Sequence, residues 1–187
     1  MFGATGVLGR GTIPHLVGHA VAGTTRSADK AAALAVTGTE AFVCDAYEAD
    51  SVARVARAFR PDVVVNFLTD LAGGRGPGNS RIRRQAAPNV TAAARAAGAR
   101  RLVVESIAFP TTPDSDAAVA AMERDAEASG LETLILRFGR FWGRGTWSVQ
   151  PADPPAIEIG EAGRRAAAFI VGSTTGITLV AGVGSCL

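Results

Sequence analysis

The sequence predicts an α/β protein built on a doubly wound parallel sheet. Three observations carry that expectation. Short apolar runs alternate with Ala-rich amphipathic stretches along most of the 187 residues. Two of the runs, Val63-Val64-Val65 and Leu134-Ile135-Leu136, are apolar without alternation, as strands covered on both faces are. A Gly-rich turn, Gly3-Ala4-Thr5-Gly6-Val7-Leu8-Gly9, leads directly into the first helical stretch.

In chain order, the turn opens a helix over Val7–Gly18, and a strand follows over Val21–Thr25. Helix Ala28–Ala35, strand Ala41–Cys44, helix Asp50–Phe59 and strand Asp62–Phe67 come next, with Asp50-Ser51 as the expected N-cap pair. Leu71–Asn79 is Gly-rich and reads as a mobile loop. Helix Arg81–Ala97, strand Arg101–Glu105, helix Asp114–Ala128 and strand Thr133–Arg137 complete the alternation, with Gly98 and Gly130 placed to stop helices. The loop Gly143–Pro155 holds three prolines and sets off a smaller βαβ unit: Ala156–Ile159, Glu161–Ile170 and Ile177–Ala181. The expected division is a main domain over 1–150 and a partial extension over 151–187.

Composition narrows the function classes. Apolar residues make up 48% and charged ones 19%, with a net charge of +2, so the chain can bury a core and is not disordered. That charge leaves no footprint for nucleic acid or an anionic membrane. The densest basic run, Arg81, Arg83 and Arg84, reads as a solvated helix start. The two cysteines cannot build a disulfide framework: Cys44 reads as a core thiol, and Cys186 as inert. His15 and His19 stand at i and i+4 with no third ligand, so no metal site is expected. The first residues lack a basic stretch followed by a long apolar one, so no signal peptide is expected, and no apolar run of about 18 residues is free of several Gly, Ser or Thr. A cytoplasmic, soluble protein acting on a small molecule, monomeric or homodimeric, is expected. One count matters later: the chain has one tyrosine, Tyr47, and one lysine, Lys30.

The glycine turn carries the chemistry. A helix N-terminus offers unpaired N–H groups and partial positive charge, and glycines let the backbone approach a pyrophosphate. Gly3, Thr5, Gly6, Val7, Leu8 and Gly9 are therefore the expected phosphate contacts. No acidic residue lies between Gly9 and Asp29, and Arg26 stands where the second strand of the sheet ends. An arginine there can hold the 2′-phosphate of NADP, so NADP is favoured and NAD is possible; an ordinary loop arginine is the competing reading. Asp45 and Ala46 end the third strand, where a carboxylate can accept from an adenine amino group or cap the next helix. Phe67, Leu68 and Thr69 end the fourth and should line the inner face of the cleft.

Together these segments resemble the short-chain dehydrogenase/reductase superfamily, in its extended and atypical branch of NAD-dependent epimerase/dehydratase-like and NAD(P)-binding Rossmann proteins. The resemblance rests on GATGVLG at Gly3–Gly9, TTRS at Thr24–Ser27 and CDAYEADSV at Cys44–Val52. It continues through PDVVVNFLT at Pro61–Thr69, NVTAAARAAGARRLVVES at Asn89–Ser106 and LRFGRFWGRGT at Leu136–Thr146. It implies a Rossmann-like sheet in the order 3-2-1-4-5-6. Here the first strand is truncated to Met1 and Phe2, and only a small C-terminal βαβ remnant follows. It also implies a Tyr-x-x-x-Lys pair, and that pair is missing. The tyrosine position falls on Ser115 and the lysine position on Val119, and no register shift can bring Tyr47 and Lys30 together.

What remains for catalysis is Ser106, where the family places a hydroxyl near the reacting oxygen, and Ser115 at the start of its helix. Glu105 is turned to the opposite side by strand alternation and ranks lower. Asp114 and Asp116 read as helix-capping residues. Arg137 follows the sixth strand with Arg140 and Arg144, where it could grip the cofactor or an anionic substrate, and Trp142 and Trp147 should pack at a pocket rim. The expected function is an NAD(P)-binding oxidoreductase or epimerase/dehydratase-like enzyme without the Tyr–Lys pair. The alternatives are a non-catalytic NADP-binding redox sensor or a truncated, inactive relative.

Overall fold

The computed structural model describes residues 1–70 and 78–182. Most of the Gly-rich loop after Thr69, and Cys186, lie outside the described residues. The elements run α1 (Val7–Thr12), β1 (Ala22–Thr25), α2 (Ala28–Ala35), β2 (Glu40–Val43), α3 (Ala49–Phe59) and β3 (Val63–Asn66). They continue α4 (Gly78–Arg81), a π-helical stretch (Ile82–Ala86), α5 (Ala87–Ala96), β4 (Arg101–Ile107), α6 (Pro113–Glu127) and β5 (Glu132–Phe138). The chain ends with β6 (Arg140–Trp142), β7 (Ala156–Glu158), α7 (Ile159–Val171) and β8 (Gly176–Val180).

Local chemistry explains most boundaries. The Ser27 hydroxyl accepts from the Lys30 N–H and starts α2 where expected. Gly98 and Gly130 take φ of +73° and +77° at the ends of α5 and α6, the left-handed position that glycine tolerates. Three expectations are corrected. The first helix was expected over 7–18 and stops at Thr12, giving way to a 3₁₀ turn over Ile13–His15, because Pro14 has no N–H to continue the ladder. α3 has Glu48, not Asp50-Ser51, at its N-cap, and no side chain caps it. The helix expected over 81–97 is not uniform. Pro88 cannot donate to the carbonyl one turn back, and the turn before it widens into the π-helical stretch.

All recorded sheet pairings are parallel. β1 pairs with β2, β3-β4-β5-β8 form a four-stranded sheet, and β6 pairs with β7. Residues 156–180 do not stand apart as a remnant. β8 lies against β5 in the main sheet, where its apolar run finds a partner strand, and α7 packs across α1. That crossing is close: a Cβ on Gly163 would sit 2.3 Å from the Gly11 carbonyl oxygen. Two apolar clusters cover the sheet. One joins Val64, Leu102 and Val104 to α3, α5 and α6. The other joins Val65, Val103 and Leu136 to Leu8 of α1 and to α7.

Among the described residues, the backbone bonds between the two-stranded and four-stranded sheets run through the chain start, while Phe42 of β2 packs on the cluster with Val64 and Leu102. Met1 N donates to the Ala22 carbonyl at 2.6 Å and the Thr24 N–H donates to the Met1 carbonyl at 3.0 Å. On the other side the Phe2 N–H donates to Val65 O at 2.8 Å and the Phe67 N–H donates to Phe2 O at 3.0 Å. Beneath these residues a cavity of about 550 Å³ separates β1 from β3, walled by Leu16, Val21, Ala22, Val63 and Ile170 among others. Burial at its edge pulls the Met1 α-amino group down to about 5.

Candidate cofactor and catalytic site

The glycine turn is fixed by backbone contacts that exclude side chains. Gly3 sits at φ +80°, and a Cβ there would lie 2.2 Å from the Phe67 carbonyl oxygen. A Cβ on Gly9 would lie 2.4 Å from the Gly3 carbonyl oxygen. Gly6 is exposed, caps α1 without a side-chain bond, and no acidic residue stands in the first turn. The first intrahelical donor is the Arg10 N–H, which bonds to Gly6 O at 3.0 Å. The N–H groups of Val7 and Leu8 therefore precede the ladder and are free for an anion. Leu8 and Gly9 are buried behind them and set the pitch of α1. This cradle of backbone donors without an opposing carboxylate fits a dinucleotide pyrophosphate.

The tops of the neighbouring strands bracket the cradle. Arg26 is exposed directly after β1, ahead of the Ser27 cap. Asp45 is exposed after β2, but one carboxylate oxygen accepts from the Tyr47 N–H at 3.0 Å, so it shapes a turn instead of capping α3. Asn89 holds that turn from α5, donating to the carbonyls of Ala46 and Tyr47 at 3.0 and 3.2 Å. Sequence reading did not single out Asn89, since no local signal marks a bond across more than forty residues. At the end of β3, Phe67 is buried in the core, while Leu68 is half-buried and Thr69 exposed. Their turn is held by the Leu68 N–H donating to Asn66 Oδ1 at 3.2 Å.

The tops of β4 and β5 hold a charged network. Ser106 is fully buried, and its Oγ donates to Glu123 Oε1 at 2.5 Å. Its hydroxyl is thus turned into α6, because residues of even number on β4 face that helix; it does not open onto the cleft. Arg137 is likewise engaged: Nε and Nη2 donate to the two Glu123 oxygens at 2.9 and 2.6 Å, in place of the cofactor contact expected of it. Burial alone would raise the Glu123 carboxyl, but the bonds from Arg137 and Ser106, with the charges of Arg137 and Arg83, outweigh it and hold it below the usual range. Ser115 is reached by Arg83 Nη1 at 3.5 Å, and its N–H is capped by Thr112 Oγ. Asp114 pairs with Arg84 at 2.8 Å, and Asp116 accepts from Thr111.

Arg83 overturns its expected role. It is only 4% exposed, unlike Arg81, which lies over the Tyr47 ring at 4.5 Å, and the exposed Arg84. Glu105 is half-buried at the top of β4, and burial pushes its carboxyl up to about 7 while Arg83 opposes the rise. His15, His19 and Trp147 are exposed, and among the described residues no cluster is suited to a metal ion. No helix among them is long and apolar enough to cross a membrane.

Fold and cradle together define a dinucleotide-binding α/β protein of the Rossmann type. The chain belongs to the NAD(P)H-binding family, whose model matches residues 3–155. It is similar to the 3-diazoavenalumate denitrifying reductase of a Streptomyces species, 36% identical over 174 residues that cover 77% of this chain and 56% of that protein. The chain thus spans little more than half the length of that relative. Among solved structures, it resembles the Bordetella bronchiseptica enzyme WbmH in complex with NAD+, with a TM-score of 0.78, 16% identity and coverage of 96% of this chain and 73% of that one. It also resembles the Escherichia coli NADPH-dependent quinone oxidoreductase QOR2 complexed with NADPH, with a TM-score of 0.73, 19% identity and coverage of 97% and 68%. At these identities the similarity to solved structures is one of fold.

Proposed function

We propose that the protein is an NADPH-preferring reductase that works without a Tyr–Lys pair. The observation that carries this reading is the open cradle of residues 3–9 followed by an exposed Arg26, with no carboxylate in between to take a ribose 2′-hydroxyl. Gly3, Thr5, Gly6, Val7, Leu8 and Gly9 hold the pyrophosphate, Arg26 the 2′-phosphate, and Asp45 and Ala46 the adenine edge. Leu68 and Thr69 line the nicotinamide side, and Phe67 supports them from the core. The bonds from Met1 and Phe2 to both neighbours support reading the two sheets as one, in the order 3-2-1-4-5-6 with a two-residue first strand. When bound, the dihydronicotinamide supplies a hydride and is oxidised. Similarity to a denitrifying reductase favours reduction over epimerisation and makes quinones and diazo compounds the first acceptors to try.

Calorimetry with NADPH and NADH tests the cofactor. Arg26→Ala is expected to weaken NADPH by roughly 10- to 100-fold, the loss of a charged hydrogen bond, and leave NADH within about twofold. Equal losses for both would remove the 2′-phosphate role. One observation favours a second reading, a non-catalytic NADPH sensor: the Ser106 hydroxyl is consumed by Glu123. Hydride transfer from labelled NADPH to any acceptor of a quinone and diazo panel rules against the sensor.

A further inference from the structure

We propose that the cavity of about 300 Å³ between the end of β4 and α6 binds a phenol, a single aromatic ring whose hydroxyl is held by Glu123 and Arg137. As the acceptor site of the enzyme it rests on the reductase reading, and it adds to that reading the chemical class of the acceptor.

Three short pieces of chain build this cavity. Ser106 pairs with Arg137 across β4 and β5, so Arg137 stands beside the end of β4. Beyond Ile107 the Ala108 N–H still bonds to Phe138 O at 2.8 Å. Pro110, which has no N–H, ends that run before Thr112 caps α6. On α6, Asp116, Val119, Ala120 and Glu123 fall at i, i+3, i+4 and i+7, on one face of the helix, and all four line the cavity.

The walls suit a flat apolar ring. Ile107, Phe109, Pro110, Val119 and Ala120 surround it. The Arg140 guanidinium lies over the Phe109 ring at 4.4 Å without lining the cavity, so it fixes that ring and leaves the rest of its surface to a ligand. An aromatic ligand gains more against Phe109 than an aliphatic one of equal area. The volume is at the small end for ligand pockets and takes one substituted ring, not a sugar nucleotide.

The floor is polar and only partly committed. Glu123 is 6% exposed. Its Oε1 accepts from Ser106 Oγ and Arg137 Nε, which fills it, while Oε2 accepts from Arg137 Nη2 alone and has room for one more donor. Arg137 is half-buried, and its Nη1 donates to no group among the described residues. A free acceptor and a free donor therefore sit side by side. A hydroxyl answers both, since it donates and accepts. A carboxylate brings no donor and meets the charges of Glu123 and Asp116, while an ammonium meets that of Arg137. Hydroquinones, the two-electron reduction products of quinones, are phenols of this kind.

Calorimetry with para-cresol, on the protein alone and saturated with NADPH, tests the site. Binding is expected with a Kd below about 1 mM. The methyl ether of para-cresol, which cannot donate, and para-toluate are expected to bind at least about 10-fold more weakly, the loss of one hydrogen bond to a charged group. Ala120→Leu fills the cavity; it is expected to weaken para-cresol by about 10-fold and leave NADPH affinity within about twofold. Should it fold poorly, Phe109→Ala serves instead, with the same expectation. In ¹⁵N spectra the Arg137 Nε–H signal, assigned with Arg137→Lys, is expected to shift as para-cresol is added. No binding at about 10 mM, equal binding of the ether or the toluate, an unmoved Arg137 signal, or undiminished binding in the variant overturns the inference and leaves the cofactor site standing. Phenol binding without NADPH binding removes the reductase reading, and the acceptor role falls with it.

Discussion

The glycine turn of residues 3–9 works through backbone, whereas the corner at the tops of β4 and β5 works through long side chains drawn from four elements. In the first, each contact is set by the lack of a side chain: Gly3 against Phe67 O, Gly9 against Gly3 O. In the second, each contact depends on where a distant residue happens to land: Ser106 on Glu123, Glu123 on Arg137, Arg83 on Ser115. The first tolerates almost no substitution and needs no ionisable group. The second depends on ionisable groups brought together from several elements.

Substitution at Gly3 should separate the two regions most sharply. Gly3→Ala places a Cβ against the Phe67 carbonyl at a backbone angle of φ +80°. It is expected to cost roughly 3–5 kcal/mol by urea denaturation and to abolish NADPH binding. A variant of parental stability and affinity would break the claim that backbone geometry makes the cradle.

Glu123→Ala comes next. It leaves the buried Ser106 hydroxyl without its acceptor and Arg137 without its partner, at roughly 2–4 kcal/mol. NADPH affinity should hold within about threefold, since the cradle shares no partner with Glu123. A parallel collapse of affinity would mean the two regions are one.

The pH dependence of stability sharpens the corner itself, because its two glutamates act with opposite sign. Burial lifts Glu105 to about 7, so the folded protein binds its proton more tightly than the unfolded chain does. Its contribution is favourable at low pH and is lost as pH rises from about 4.5 to about 7. Glu123 is held below its usual range, so its contribution is present above about 4.5 and is lost as pH falls through its lower folded value. Glu105→Gln should flatten the first slope, worth roughly 1–3 kcal/mol, and Glu123→Gln the second. Denaturation curves at pH 4, 5.5 and 8 read both; a slope that survives its own substitution refutes the assignment.

The smallest effect is expected at Asn89, which ties the 46–47 turn to α5. Asn89→Ala should cost about 1 kcal/mol and loosen NADPH two- to fivefold through the adenine side, with Glu105 titrating as before.

The same contrast explains what could be read in the chain. Helix α2 and the strand cores were legible because Ser27 and the apolar runs act locally. The cradle was legible because its glycines are adjacent. The absence of the Tyr–Lys pair was legible by counting alone. What escaped depends on distance in sequence. Arg83 is buried because the π-helical stretch rotates it inward, an effect of Pro88 five residues on. Ser106 ranked above Glu105 because strand parity says only that they face apart. It cannot say that α6 offers Glu123 on one side while the other side is half open. The Gly11–Gly163 crossing, which seats α7 behind α1, left no pattern at all.

Four backbone bonds through Met1 and Phe2 join the two-stranded sheet to the four-stranded one, and Phe42 packs β2 onto the cluster of Val64, Leu102 and Val104. β1 and β2, paired with each other over four residues, form the unit expected to open first. Its amides should then exchange hydrogen with solvent through sub-global openings, well before those of β4 and β5, which are paired over seven residues. A dinucleotide lying across both sheets would be a further tie, and its arrival would be seen first as slowed exchange in residues 22–25 and 40–43.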